Sequence, residues 1–303
     1  MHSTILATLF GVSGTVVSMC SAGILVFLIA LWAAKADIAQ ARGLDKIVAL
    51  SNLCFAVPLA VFGALHLSGV EFVLPLVPAY MPWRLFWAYF VGFALLAASL
   101  SIATRIQVRW SGLLFGIAMF LFVAMMDIPG SLASPRDRFG WTLTIREMTF
   151  GGGGWILAGN ALREQGRGQG GGKLITVGRI LIAIAAIFYG VEHFLHPANV
   201  PGVPLEKLMP AWIPGRLLIG YVTGAILLVA GGSILLARKT RMAATYLGTW
   251  IVLLVLFIYR PILIAALADP STDLKVEGIN YFFDTMLFAG VILALASATP
   301  RTD

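Results

Sequence analysis

The sequence predicts an all-α membrane protein: a polytopic helical bundle of about nine transmembrane helices, with one extra helix followed by two parallel four-helix repeats. Three observations predict it. The chain of 303 residues is 59% hydrophobic and 12% charged, whereas soluble domains carry about 25% charged residues. Apolar runs of about 20 residues, the length that spans a ~30 Å hydrocarbon core, recur along the whole chain. Motifs of the first half also return in the second half.

The apolar runs predict the individual helices. In chain order they cover 6–34, 46–67, 84–104, 109–128, 139–162, 175–196, 215–237, 241–262 and 277–298. The fifth run is the weakest, because Arg146, Glu147 and the glycines from Gly151 to Gly154 interrupt it. The first run is predicted to be a retained helix rather than a signal peptide, because it lacks a basic start and its apolar stretch is too long.

Basic residues accumulate in alternate loops, which predicts the orientation. They follow the first, third, fifth and seventh helices: Lys35, Arg42, Lys46, Arg105, Arg109, Arg163, Arg167, Lys173, Arg179, Arg238, Lys239 and Arg241. Cytoplasmic loops carry an excess of Lys and Arg. We therefore expect a multi-pass protein of a bacterial inner membrane, with its N-terminus outside and its C-terminus in the cytoplasm. This distribution accounts for the net charge of +7 without any nucleic-acid partner; the predicted partner is the lipid bilayer.

The second half of the chain repeats motifs of the first half. The segment PAYMPWRLFWAYFVG, which starts at Pro78, matches PAWIPGRLLIGYVTG, which starts at Pro210. FGALH, which ends at His66, matches YGVEH, which ends at His193. A unit of four spans returns the chain to the side where it began, so both copies should have the same orientation and be related by an axis along the membrane normal.

The repeat predicts how the chain is divided. Residues 1–45 form an N-terminal helix and the first cytoplasmic loop, and residues 46–162 form the first four-helix unit. A Gly-rich cytoplasmic linker covers 163–174, the second unit covers 175–298, and the tail covers 299–303. The linker is predicted to be flexible, because Leu174 stands where a phosphate-binding Walker loop would need Ser or Thr after the lysine.

The motifs resemble those of the DoxX-like family of integral membrane proteins. The resemblance rests on GVEHF, HPANVPGVPLEKLMPAWIP, GYVTG and ARKTR in the second half, and it covers about residues 46 to 298. Named members of that family include the small subunit of a thiosulfate:quinone oxidoreductase, so the resemblance implies quinone-linked redox membrane partners. Many members carry a glutamate at the positions of Leu95 and Leu227, so this chain departs from the family there.

Ionisable residues inside spans cost about 2.5–3.5 kcal/mol each at the bilayer centre and therefore indicate function. In the predicted topology they concentrate in the outer half. The candidates for a ligand-binding or proton site are Glu192, His193, Asp284, Arg216, Arg260, Tyr189, Tyr259, Tyr281, Glu147, Arg146, His66 and Arg84. The hypothesis is a polar pocket open to the exterior, in which Glu192 pairs with Arg216 or Arg260.

Each candidate also has a structural interpretation. Glu192 could form an ion pair at the membrane interface, and His66 and His193 could hydrogen-bond at the ends of their helices. Arg84 and Arg216 could extend along the helices toward the headgroups. Asp127, at the end of its helix, is predicted to be a surface residue. Depth in the membrane alone does not separate these interpretations, because it does not determine which way a helix faces.

The sequence indicates no cofactor motif, and a quinone is compatible with apolar walls that carry a few polar groups. Metal, haem and dinucleotide sites are not predicted, because the chain has only four histidines and no dinucleotide loop or nucleophile–base triad. A stand-alone enzyme is therefore not expected. Three functions stay open: an accessory or ligand-binding membrane subunit, a small-molecule transporter or permease, and a structural or assembly membrane protein.

Overall fold

The computed structural model describes residues 13–166 and 168–300, and these residues form helices joined by loops, without a strand among them. Nine long helices cover these residues: α1 Gly14–Gln40, α2 Ser51–Ser68, α3 Arg84–Thr104, α4 Val108–Ala133, α5 Arg138–Glu164, α6 Gly168–Leu195, α7 Arg216–Leu235, α8 Thr240–Ala268 and α9 Thr272–Ala298. The predicted fold class, an all-α polytopic bundle, is confirmed.

Eight of these helices, within the part of the chain described, are long and apolar enough to cross a membrane. The remaining long helix, α5, has 27 residues but is more polar, as the interruptions at Arg146 and Glu147 predicted. Exposed apolar side chains cover the outside of the bundle; on α1 they include Ile24, Leu25 and Leu28. A large apolar outer surface of this kind suits a lipid environment, and the protein is a multi-pass membrane protein.

Two sequence-based boundaries differ from the structure. The first predicted span began at residue 6, but 6–12 lie outside the described residues, and α1 continues to Gln40. Much of the predicted linker over 163–174 is helical in the structure, because α5 extends to Glu164 and α6 begins at Gly168. The glycines there allow close packing: a Cβ on Gly171 would overlap the carbonyl oxygen of Gly159 on α5.

The helices α4 and α8 each contain a wide π-helical turn, at Val123–Asp127 and Val255–Tyr259. Pro129 and Pro261 follow these turns. Proline has no N–H to donate, and its ring collides with the carbonyl of the residue four positions earlier, so the preceding turn widens. The last residue of each turn, Asp127 or Tyr259, consequently occupies the same place on its helix.

Helix pairing follows the same order in both halves. Helix α2 packs on α3 and α6 packs on α7, while α4 packs on α5 and α8 packs on α9. The halves are joined by α5 against α6 and by α9 against α2, and α5 also contacts α9. Helices α2 and α9 are the most buried, and a Cβ on Gly290 of α9 would lie 2.7 Å from the Cys54 carbonyl carbon of α2.

Local hydrogen bonds also recur between the halves. Nε of Arg84 donates to the Val77 carbonyl at 2.9 Å, and Nη1 of Arg216 donates to the Met209 carbonyl at 3.5 Å. Each arginine opens a helix, and each bond closes the loop before it at the same offset along the chain. The loop that precedes each of these two helices is therefore tied to the first residue of the helix.

The two ends of the bundle carry different polar contacts. At one end, Nη2 of Arg241 contacts Oδ1 of Asp45 at 2.6 Å, and Nη1 of Arg163 donates to the Ala298 carbonyl at 3.2 Å. We call this the basic end, because the predicted cytoplasmic loops meet there. At the opposite end, the long loop between α6 and α7 folds against α5, α6 and α9. We call this the loop end.

Candidate functional site

Helix α5 provides the polar face on which the site is built. Arg138, Thr142 and Arg146 lie four residues apart, so they stand on one face of the helix, one turn after another. Arg138 contacts α6 and the loop, Thr142 accepts a hydrogen bond from α6 through its backbone carbonyl, and Arg146 contacts α9. The three positions span about 12 Å, given the ~1.5 Å rise per residue.

Arg146 bridges two carboxylates within the bundle. Its Nη1 lies 2.7 Å from Oδ2 of Asp284 on α9, and its Nη2 lies 2.8 Å from Oε1 of Glu147. These three side chains retain only 12–18% of their accessible surface. We call them the central cluster. Charge-assisted hydrogen bonds at these distances are strong, and each charge depends on its partner because unpaired charges are costly away from water.

Further polar groups surround the central cluster. The buried Tyr189 hydroxyl donates to the Thr142 carbonyl at 2.6 Å and lies near Arg146. Asp127, at the end of the wide turn in α4, interacts electrostatically with Glu147 and Arg146. Tyr259, at the end of the corresponding turn in α8, is buried near Asp284. The two kinked helices therefore present polar groups toward the same cluster.

Three buried polar atoms near the cluster make no hydrogen bond to any residue that the structure describes. They are Oδ2 of Asp127, Nε of Arg146 and Oδ1 of Asn280. In addition, two carboxylates pair with one guanidinium, and the Asp127 carboxylate lies near them, so the group is negatively charged when all three carboxylates are ionised. Buried polar atoms are normally hydrogen-bonded, and excess charge is unfavourable in apolar surroundings. The arrangement therefore suits a group that brings hydrogen-bond donors or positive charge.

The loop between α6 and α7 covers the site from the loop end. Residues 199–209 of this loop, which we call the wedge, bury Val203, Leu205 and Met209. Nη1 of Arg138 donates to the Leu205 carbonyl at 2.9 Å, and Oγ1 of Thr285 donates to the Val203 carbonyl at 3.1 Å. Helices α5 and α9 thus hold the same short segment.

His193 fixes the wedge from α6. Its Nδ1 lies 2.6 Å from the Tyr189 carbonyl oxygen, so Nδ1 carries the hydrogen and donates. Its Nε2 is then free to accept, and it accepts the Gly202 N–H at 3.1 Å. A side chain on Gly202 would also meet the Tyr259 hydroxyl at 2.9 Å. The wedge therefore approaches the wall of the site through a residue that needs to be glycine.

The outer edge of the wedge is held by charged and polar contacts with α9. The Tyr281 hydroxyl donates to Oε2 of Glu206. Nζ of Lys207 lies 2.8 Å from Oε1 of Glu277, and the hydrogen bond that Lys207 donates to this carboxylate raises the pKa of Lys207. Both lysine and glutamate are largely solvent-accessible, so this pair adds little stability on its own.

The structure brings several of the predicted site residues together. Arg146, Glu147 and Asp284 form the central cluster, and Tyr189 and Tyr259 lie beside it. Glu192, His193 and Tyr281 contact the wedge or lie beside it.

The remaining candidates stand elsewhere. Arg216 and Arg260 are exposed, Arg84 closes its own loop, and Nδ1 of His66 bonds the Phe62 carbonyl at 2.8 Å. His66 therefore makes the same backbone contact as His193, but on α2.

One predicted pairing is wrong. Oε2 of Glu192 lies 3.2 Å from Nη1 of Arg138, rather than next to Arg216 or Arg260. Arg216 lies at the start of α7 and bonds its own loop instead. Glu192 and Asp284 consequently belong to two ion pairs, one with Arg138 and one with Arg146, that lie two turns apart on α5.

Sequence reasoning missed Arg138, Thr142 and Thr285, and it placed Asp127 on the surface. The spacing of Arg138, Thr142 and Arg146 was an available signal, because it places all three on one helix face. The role of Asp127 could not be predicted from spacing alone, because the wide turn of α4 changes the direction in which its side chain points.

An apolar layer closes the site toward the basic end. Immediately after Asp284, α9 buries Leu287, Phe288 and Val291 almost completely. The Val291 side chain occupies the space that a Cβ on Gly153 of α5 would need. The polar groups are therefore confined to the half of the bundle nearer the loop end.

Within residues 13–166 and 168–300, no group of three or more His, Cys, Asp or Glu side chains has an arrangement that could hold a metal ion. Comparison of the chain with protein-family models, with curated proteins and with solved structures gives no match. The resemblance to the DoxX-like family therefore stays a prediction.

We expect Arg146→Met to destabilise the protein by about 3–5 kcal/mol, because it leaves Glu147 and Asp284 buried without a cation. Arg105→Met, which breaks the exposed pair with Asp37, should cost about 0–1 kcal/mol. Thermal unfolding in detergent measures both. Adding Asp284→Asn to Arg146→Met should restore part of the loss, and an unchanged or larger loss in the double variant would contradict the ion-pair account.

We expect His193→Phe to loosen the wedge, because the Gly202 N–H loses its acceptor. Limited proteolysis should then cut within 196–215 faster than in the wild-type protein. His66→Phe is the matched control, because His66 makes the same bond to its own helix but no hydrogen bond to the wedge. Equal cleavage rates in both variants would show that His193 does not hold this loop.

Proposed function

We propose that the protein is a ligand-binding accessory subunit of a bacterial inner membrane, which takes a small amphipathic ligand at the central cluster beneath the wedge. The observation that carries the proposal is the Arg146 bridge to Glu147 and Asp284 together with the unpartnered buried atoms beside it. Ionisable groups within spans are costly and are usually kept for function.

The charge of the cluster limits the chemistry of the ligand. Two carboxylates pair with one guanidinium, and the Asp127 carboxylate lies near them. A polar head with hydrogen-bond donors would therefore be complementary, and an anionic head would be repelled. The two hydroxyls of a quinol meet this requirement, and the apolar surroundings suit its ring and tail. We therefore propose a ligand of the quinol class and a quinone-linked redox partner in the membrane.

The one-sided position of the site favours binding over passage. A transporter needs a path to both surfaces, and Leu287, Phe288 and Val291 form a close-packed apolar floor between the cluster and the basic end. This floor supports a site that exchanges its ligand from the loop end or from the bilayer. For this reason we prefer the accessory role to the transporter alternative.

We also propose that the two halves are tandem copies of a DoxX-like unit. The proposal is supported by the recurring helix pairs, by the wide turns of α4 and α8, and by the matching bonds of Arg84 and Arg216. In this arrangement α5 and α9 are equivalent helices. Their contact lies between the halves, and the central cluster bridges it.

The ligand proposal is tested by purifying the protein with its native lipids and identifying bound small molecules by mass spectrometry. We expect a quinone or quinol to copurify with the wild-type protein. The amount bound should fall about tenfold in Asp284→Asn, because a hydrogen bond to a charged group contributes ~1.5–3 kcal/mol. Asp45→Asn, which alters the ion pair at the basic end, should retain the ligand. Absence of a bound quinone, or equal retention in both variants, would contradict the proposal.

The proposed orientation places the basic end in the cytoplasm, as the positive-inside tendency predicts. A fluorescent protein fused to the C-terminus should then be fluorescent, and alkaline phosphatase inserted between α4 and α5 should be active. If the phosphatase were active only as a C-terminal fusion, the orientation would be the reverse of the one proposed. It would then place the wedge on the cytoplasmic side.

A further inference from the structure

A groove runs along α1, beside the end of α8 and the start of α9. It is lined by five residues of α1 between Val16 and Ile24, by Leu267 at the end of α8, and by Lys275 in the first turn of α9. Its volume is about 330 Å³, which is within the range of small-ligand sites. It shares no lining residue with the central cluster.

Lys275 is the unusual residue of this groove. Its exposed fraction is 8%, and its side chain makes no ion pair or hydrogen bond with any of the residues described. Lysine is almost never buried without a partner, because an unpaired charge is unfavourable away from water. Lys207, on the same end of the molecule, is exposed and paired with Glu277. The contrast indicates that Lys275 is placed to meet an anion.

The groove is polar at one end, where Lys275 lies, and mostly apolar along α1. Helices α1 and α9 both begin at the loop end, so Lys275 lies near the surface that the wedge occupies. From Val16 to Ile24 the groove follows α1 toward the middle of the bundle for about 12 Å, given the ~1.5 Å rise per residue. Ile24 is 62% exposed, so the groove opens sideways onto the bilayer.

We propose that this groove binds an acidic phospholipid of the surrounding bilayer. The phosphate contacts Nζ of Lys275, and an acyl chain lies along α1 beside Cys20 and Ser21. The proposal depends on charge complementarity at one end and on apolar walls along the rest. It is independent of the ligand at the central cluster, which needs donors rather than an anion.

The test measures the binding of soluble lipid probes to the full-length protein in a neutral detergent. We expect lysophosphatidylglycerol, which is anionic, to bind and to raise the unfolding temperature, and zwitterionic lysophosphatidylcholine to bind more weakly. Glycerol phosphate, which has the anionic head without the chain, should have no effect at the same concentration. Equal binding of the two lysolipids, or an equal effect of glycerol phosphate, would overturn the proposal.

Variants locate the binding. Lys275→Gln should weaken the binding of lysophosphatidylglycerol about tenfold, and Cys20→Phe should weaken it by filling the groove. Lys275→Arg should retain it, because the charge remains. Lys207→Gln is the matched control and should bind like the wild-type protein. If the unfolding temperature of ligand-free Lys275→Gln is normal and its binding is unchanged, the site is elsewhere and the proposal fails.

Discussion

The structure depends on one ion-paired group, the guanidinium of Arg146 between Glu147 and Asp284. Each member would be unfavourable alone in an apolar bundle, so the three must be brought together as the helices pack. This requirement fixes how α5 and α9 face each other, because Arg146 and Asp284 are contributed by different halves of the chain. The polar character of α5 follows from it, since α4, α6 and α9 all pack against this helix and shelter it from lipid.

The same requirement explains why the bundle is apolar on one side of the cluster and polar on the other. Toward the basic end, glycines let α5 approach α4, α6 and α9 closely, and apolar side chains fill the remaining space. Toward the loop end, polar side chains bond backbone carbonyls: Tyr189 donates to the Thr142 carbonyl, and Thr285 donates to the Val203 carbonyl. The buried polar side chains of the site therefore gather in the second region, where they find hydrogen-bond partners.

Hydropathy was sufficient to predict the helices, because a bilayer demands long apolar spans. It also indicated that α5 is different, since Arg146 and Glu147 lie inside it. The partners of the buried ion pairs were harder to predict. Glu192 lies at a depth similar to that of several arginines, and only the rotation of α5 decides that Arg138 is its partner. The glycines at 170–172 suggested a linker, but helix contacts outweigh the low helix propensity of glycine there. Asp127 was expected at the surface because it lies at the end of its helix, whereas its Oδ2 is buried at the end of the wide turn of α4.

The attachments of the wedge have a mechanical consequence for the two halves. The wedge belongs to the second half, but Arg138, which holds it at Leu205, belongs to the first. His193 and Thr285 hold the same segment from α6 and α9. At this surface, the wedge therefore cross-links α5, α6 and α9. It can make all three contacts only while these helices keep their spacing. If the spacing between the halves changed, the conformation of this irregular segment would change before that of any helix.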